Sequence, residues 1–299
     1  MDKKTTTGHI TSLITIVIWG TTFISTKILL GDFKPMEILF FRFLLGFLAL
    51  AVACPKRLKW NGLKQELIFA AAGLTGVCLY YLLENVALIF TMASNVGVII
   101  SIAPFFTAIL SYIFLRETEK PRLNFYIGFI IAIVGICLIN FNGTKMHLNP
   151  LGDLLSVAAA VVWACYSILS KKISSFGIHT ILTTRRVFAY GILFMMPLLF
   201  MGDFHIGIER FKNLTYLGNI LFLGIGASAL CFVTWSIAIK VLGAIKTSIY
   251  IYLVPVITMV ASTLILNEKI TVMAVAGAVL TLSGLLFSER RGEGRQIHE

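Results

Sequence analysis

Glu84 stands in the apolar run YYLLENVALIF. A charge in hydrocarbon costs from about 2.5 to more than 10 kcal/mol, so a carboxylate there needs a partner or a task. It lies six residues before the end of its run, about 9 Å deep at 1.5 Å per residue, on a stalk too short to reach the headgroups. On a regular helix Gly73, Val77, Tyr80, Glu84 and Ala87 share one face. That face sets a phenol and a carboxyl beside small residues, which let another helix come close. Glu84 can then be a counter-charge to a substrate amine, a titrating group, or a salt-bridge partner for Arg42. Arg42 is seven residues past Pro35, about 10 Å in from the same side. Arg185 and Arg186 sit at similar depth from the opposite side. Such long side chains snorkel to headgroups, tie helices together, or bind a substrate carboxylate or phosphate. Arg42 and Arg186 are accordingly possible charge partners.

Aromatic residues come next. Trp19, Trp163 and Trp235 fall away from the interfacial belts where Trp usually sits. With Tyr80, Tyr166 and Tyr250 they can wall a cavity that takes apolar or aromatic groups. Asn95 and Ser101 are able to bond a ligand, and equally to bond a neighbouring helix. Pro104 and Pro255 would each free the carbonyl four residues back, Ile100 and Ile251, which makes both candidate hinges.

Several chemistries have no residues to stand on. There is no GxxxxGK[ST] phosphate loop, no HExxH pair for zinc, and no GxSxG elbow. The histidines fall in expected tails, loops or helix ends. Cys54, Cys78, Cys137, Cys165 and Cys231 show no CxxC spacing and read as small apolar side chains. No enzyme, cofactor or metal is expected.

The elements that must position these residues follow from composition. Of 299 residues, 58% are hydrophobic and 13% charged, against about 45–50% and about 25% in soluble domains. Lys and Arg number 25 against 14 Asp and Glu. The cations cluster between apolar runs rather than in one patch, which points to a lipid bilayer and away from nucleic acid. Ten runs are long enough to span: 10–30, 35–54, 65–90, 94–115, 123–141, 151–170, 178–201, 214–239, 244–266 and 271–288. The first has no small-residue cleavage site and is expected to be a retained helix. With the N-terminus cytoplasmic, sixteen cations fall on the cytoplasmic side and five on the other, a strong positive-inside bias. Both termini are then cytoplasmic.

The two halves repeat each other. Trp19 to Arg42 and Trp163 to Arg186 are both 23 residues, and Lys27 and Lys171 each follow their Trp by eight. Gly73, Ala87, Pro104 and Glu117 recur 151 residues later as Gly224, Ala238, Pro255 and Glu268. Gly128 and Gly135 recur 149 later as Gly277 and Gly284. Five helices per copy is an odd number, so the second copy enters the membrane inverted, with a site expected between the copies. The expected organisation is a cytoplasmic tail (1–9), a first repeat (10–141), an external connection (142–150), a second repeat (151–288) and a cytoplasmic tail (289–299). The fold class is all-α integral membrane, ten transmembrane helices as two inverted five-helix repeats.

The WG…K helix, the Arg early in the next helix, LLENVALIFTMASN, SIAPFFTAILSYIFLRE and its counterpart YLVPVITMVASTLILNE resemble the EamA-type transporters of the drug/metabolite transporter superfamily. The resemblance covers about residues 10–140 and 152–287. It implies a cavity lined mainly by the first, third and fourth helices of each repeat. It also implies carriage of a small molecule without ATP, often an amino acid and often outward. Glu84 departs from symmetry, since its repeat counterpart is Trp235. The leading reading is a secondary transporter for amino acids or related metabolites in a bacterial cell membrane, with protons as the coupling ion to test. A proton-coupled drug or metabolite antiporter or importer, and a channel, are the alternatives. A channel would want rings of like charge rather than one Glu84.

Topology is testable directly. In a cysteine-free background, single cysteines at Trp60 and Thr118 should label from the cytoplasm, and those at Lys145 and Ile208 from the far side. Labelling of positions 60 and 208 from one face would end the odd-repeat argument.

Overall fold

In hydrocarbon every backbone N–H and C=O must be paired within the protein, which leaves helices as the natural spanning element for a chain of this composition. The computed structural model describes residues 3–91, 93–115, 123–140, 149–201, 204, 206–266 and 271–289, and all regular structure there is helical. Glu117, Glu268 and the side chain of Asn95 lie outside the described residues. Eight helices are long and apolar enough to cross a membrane: α1 (Lys3–Leu29), α2 (Pro35–Ala53), α3 (Leu63–Phe90), α4 (Val96–Phe114), α6 (Pro150–Ser174), α7 (Thr180–Phe200), α8 (Leu214–Leu242) and α9 (Ala244–Ala261). Two more, α5 (Leu123–Leu138) and α10 (Val272–Ser288), are apolar but shorter. Against the ten spans expected, eight helices reach full spanning length among the described residues, and α5 and α10 fall short of it.

Local chemistry sets the helix starts. Asn149 caps α6 by accepting from the Leu151 and Gly152 amides, with Pro150 at the first helical position and Asp153 in the first turn. Each choice suits the unpaired amides and positive dipole end of a helix start. Asn213 accepts from the Thr215 amide at the start of α8. The α1 helix begins at Lys3, well before the expected start at residue 10. Residues 3–9 are therefore helical, continuous with the first span, and the Thr7 hydroxyl donates to the Lys3 carbonyl.

Regular helix fails at two pairs of places, and they match. α3 carries a π-helical segment at Leu74–Leu79 and α8 one at Phe222–Leu230. α4 breaks at Ser101–Ile102, and α9 tightens to a 3-10 turn at Tyr250–Tyr252. Shifting the first-half sites by 151 lands on the second. Both prolines come directly after these breaks. Pro104 sits in the first turn of the new segment, where an absent N–H leaves no bond unmade. The prolines thus restart their helices rather than bend them from mid-helix.

The first five helices and the last five interlock. α5 and α10 cross backbone to backbone: a Cβ on Gly135 would lie 2.5 Å from the Thr281 amide nitrogen and 2.6 Å from the Gly277 oxygen. A Cβ on Gly284 would lie 2.5 Å from the Ala132 nitrogen and 2.6 Å from the Gly128 oxygen. Small residues allow this approach because lipid supplies no hydrophobic force between helices and close packing must hold them. Leu at Gly135 or Gly284 should therefore destabilise the purified protein by about 2–3 kcal/mol, read as melting temperature in detergent, whereas Leu at Gly218 should not. Nothing lies within 4 Å of a Cβ at Gly218.

Candidate functional site: a chamber between the halves

A narrow chamber lies among α1, α3, α4, α6 and α9. Trp19, Thr22 and Phe23 line it from α1, Tyr80, Tyr81 and Glu84 from α3, Ile100 from α4, Trp163 from α6, and Ile251 and Val254 from α9. Its volume is about 40 Å³ over the positions a water centre can reach, room for about three waters and for no metabolite. Glu84 is the one carboxylate among the described lining residues, and it is 3% exposed. Tyr80 is its polar neighbour, and the charge of Arg42 reaches it from further off. Among the described residues no group of His, Cys, Asp and Glu could hold a metal ion.

Four of the expected site residues meet here: Trp19, Tyr80, Glu84 and Trp163. The three rings form one cluster, Trp163 being 5.1 Å from Trp19 and 4.7 Å from Tyr80. Trp19 is also tied down, its indole donating to the Ala227 carbonyl at 2.9 Å. Four others lie elsewhere. Trp235 is wholly buried behind Trp19, ring to ring at 5.1 Å. Tyr166 packs on Gly76 and lines a second, smaller pocket with Ser170, Thr183, Thr184, Ser236 and Lys240. Tyr250 points its hydroxyl at the His9 ring, a pairing the expected tail had hidden. The Ser101 hydroxyl turns back to the Gly97 carbonyl at 2.7 Å, as hydroxyls in helices tend to do. Tyr81 is a lining residue the sequence pattern missed. The π segment explains it, since its i→i+5 bonding puts an extra residue into the turn and rotates the residues after it. Gly73 and Val77 accordingly meet α7, at the Val187 oxygen and Gly191, while Tyr80, Tyr81 and Glu84 turn to the chamber.

The charges sort into two kinds. Arg42 is 1% exposed, so it does not snorkel. Its Nε donates to the Ser228 hydroxyl at 3.0 Å, its Cζ lies 4.2 Å from the Tyr81 ring centre, and it makes no ion pair with Glu84. Arg185 and Arg186 tie helices instead of reaching for headgroups. Arg185 donates to the Cys54 and Lys56 carbonyls. Arg186 donates to the Leu58 carbonyl at 3.0 Å and pairs with Glu66 at 3.3 Å, while the Tyr190 hydroxyl donates to Glu66 at 2.6 Å. Arg210 pairs with Glu37 at 2.7 Å and lies over the Phe33 ring. Glu37 starts α2 and Glu66 starts α3. A 19-residue helix separates their levels, so the two ion pairs join the first five helices to the last five at opposite ends of the bundle.

With this geometry, the EamA-like transporter family matches over two successive stretches, residues 6–141 and 150–289. The chain belongs to that family. It is a multi-pass membrane transporter and not an enzyme. An uncharacterized transporter of Archaeoglobus fulgidus is 28% identical, covering 95% of this chain and 97% of its own. A probable amino-acid metabolite efflux pump of Salmonella typhimurium is 27% identical, covering 92% of each. A solved crystal structure shares the fold with a TM-score of 0.74 at 17% identity, over 95% of this chain and 96% of that one.

The two ion pairs join the first five helices to the last five at opposite ends of the bundle, so each can be tested as a latch on access to the chamber. In a cysteine-free background with cysteine at Thr22, Arg210→Gln should raise labelling by an impermeant thiol reagent from the Arg210 side, and Glu66→Gln from the other. Melting temperatures should fall by less than the labelling changes would need if the protein were unfolding, because each arginine stays partly open to water although its carboxylate partner is buried. Unchanged labelling would make the pairs passive.

Proposed function

We propose that the protein is a secondary transporter that exports amino acids or related metabolites across the cell membrane by alternating access. All ten helices span in this reading, as two inverted five-helix repeats (10–141 and 151–288) joined by an external connection (142–150), with both termini cytoplasmic. The matched π segments and helix breaks support the duplication, and a site between inverted halves is the usual place for a carrier's substrate.

One observation carries the substrate reading. A lone carboxylate, Glu84, stands in the wall of a chamber that is otherwise aromatic and apolar apart from the Thr22 hydroxyl and two phenols. That lining suits a molecule with an amine to pair and an apolar side chain to bury. Among the relatives, the efflux pump named for amino-acid metabolites supports the same direction and class. Protons are the proposed coupling ion, because a single carboxylate cannot hold an amine and a proton at once. Amine binding would then follow ionisation of Glu84 and release would follow its protonation. A drug or metabolite antiporter would use the same carboxylate.

Glu84→Gln is the deciding variant. It should fold with a melting temperature close to wild type, since Glu84 makes no ion pair whose loss would strand Arg42. Reconstituted flux of L-leucine should fall by about 30-fold or more, the loss of a buried charge contact at the substrate being on the order of 2 kcal/mol or greater. Wild-type flux should decline as the pH of the loading side drops and Glu84 protonates, and the variant's flux should be flat across the same range. A collapse in melting temperature with undiminished flux per folded molecule would make Glu84 a structural residue.

A further inference from the structure

Arg42 is the one cation in the described spans that is both fully enclosed and without a carboxylate in contact. Arg186 has Glu66 and Arg210 has Glu37, and both arginines remain partly open to solvent. Arg42 has Ser228 on Nε, the Tyr81 ring against its plane, and a buried Nη2 with no hydrogen-bond partner at all. A buried guanidinium kept for stability alone would be expected to have its donors filled, because stranding an enclosed charge is strongly unfavourable. Its position is equally specific. Tyr81 is shared, carrying Arg42 on its ring while lining the chamber beside Glu84. A cation with a spare donor and a carboxylate thus flank one tyrosine, near enough to influence each other and too far apart to pair.

We propose that Arg42 is a carboxylate subsite for the substrate, exposed to the chamber when Tyr81 moves aside, so that Arg42 and Glu84 together read the carboxylate and the amine of a zwitterionic α-amino acid. This rests on the reading of the chamber as an amino-acid site and deepens it. The chamber as it stands is too small for a metabolite, so the subsite requires Tyr81 to move. Guanidinium suits the task because its fork of N–H donors matches both oxygens of a carboxylate. With Nε held by Ser228, Nη2 is the buried donor left without a partner. Selectivity follows from the same geometry. A simple amine would satisfy Glu84 but leave Arg42 stranded, and a simple acid would do the reverse, so the site penalises both through the group left unpaired.

The test compares ligands as well as variants, so it does not depend on Arg42→Gln folding. Purified full-length protein in lipid nanodiscs is titrated calorimetrically with L-leucine, L-methionine and L-phenylalanine, with the methyl ester of each, and with the amine each would give on losing its carboxylate. Wild type should bind the free amino acids about tenfold or more tighter than the esters and amines. Arg42→Gln and Arg42→Lys should erase most of that preference, lowering amino-acid affinity to the level of the amines while amine affinity stays put. Glu84→Gln should lower both together. Equal binding of acid and ester by wild type overturns the subsite while leaving the amino-acid reading intact, as does a folded Arg42→Gln protein that keeps the preference. Failure of wild type to bind any of the three amino acids, their esters or their amines overturns the reading and the subsite together.

Discussion

Hydrocarbon forgives no unpaired backbone group, and that constraint gives this protein's irregularities their meaning. Within the spans the helices depart from α geometry at two π segments and two breaks before prolines, and nearly every feature of the chamber is attached to one of them. The π segment of α3 ends where Tyr80, Tyr81 and Glu84 begin. The π segment of α8 contains Ala227, whose carbonyl receives the Trp19 indole, and Ser228, which receives Arg42. Ile100 and Ile251 line the chamber at the two breaks. A regular helix uses its carbonyls internally. Where its bonding shifts register, backbone groups and side chains become available to neighbours, so the buried polar contacts collect at the places where the helix is irregular.

The placement of charge obeys a second version of the same rule. Glu37, Glu66, Arg186 and Arg210 are near helix ends, where water is close and a pair can part at modest cost. Glu84 and Arg42 lie deeper and are not joined to each other. A buried Glu–Arg pair in direct contact would satisfy both groups and leave nothing for a ligand. Kept apart, with one ion in the chamber wall and the other behind a tyrosine, they remain a difference in potential across a short distance. The interior thus separates charges that hold the bundle from charges left over.

Much of the fold is legible in sequence because its signals are covalently local. Apolar run lengths, the 151-residue offset, and the Asn149 and Pro150 start all survive into structure. Glu84 and the cluster of Trp19, Tyr80 and Trp163 are legible too, since few residue types are tolerated at such depth without a reason. What escapes is phase and partner. Face assignment on α3 assumes 3.6 residues per turn, and the π segment invalidates it, which hides Tyr81 and misaligns Gly73 and Val77. Trp235, Tyr166, Tyr250 and Ser101 are plausible by type, yet each is claimed by a neighbour that sequence does not show: Trp19, Gly76, His9 and the Gly97 carbonyl. The glycines of α5 and α10 are visible as repeat markers, but their meeting across the two halves is a property of assembly alone.

The chamber's size explains why its walls are aromatic. A cavity of about 40 Å³ is smaller than a metabolite, so the proposed transport cycle requires its walls to part. Flat rings can slide and tilt past one another while keeping van der Waals contact, and edge-to-face pairs such as Trp19 with Trp163 lose little in doing so. An aliphatic core of the same volume interlocks, and opening it would strand voids.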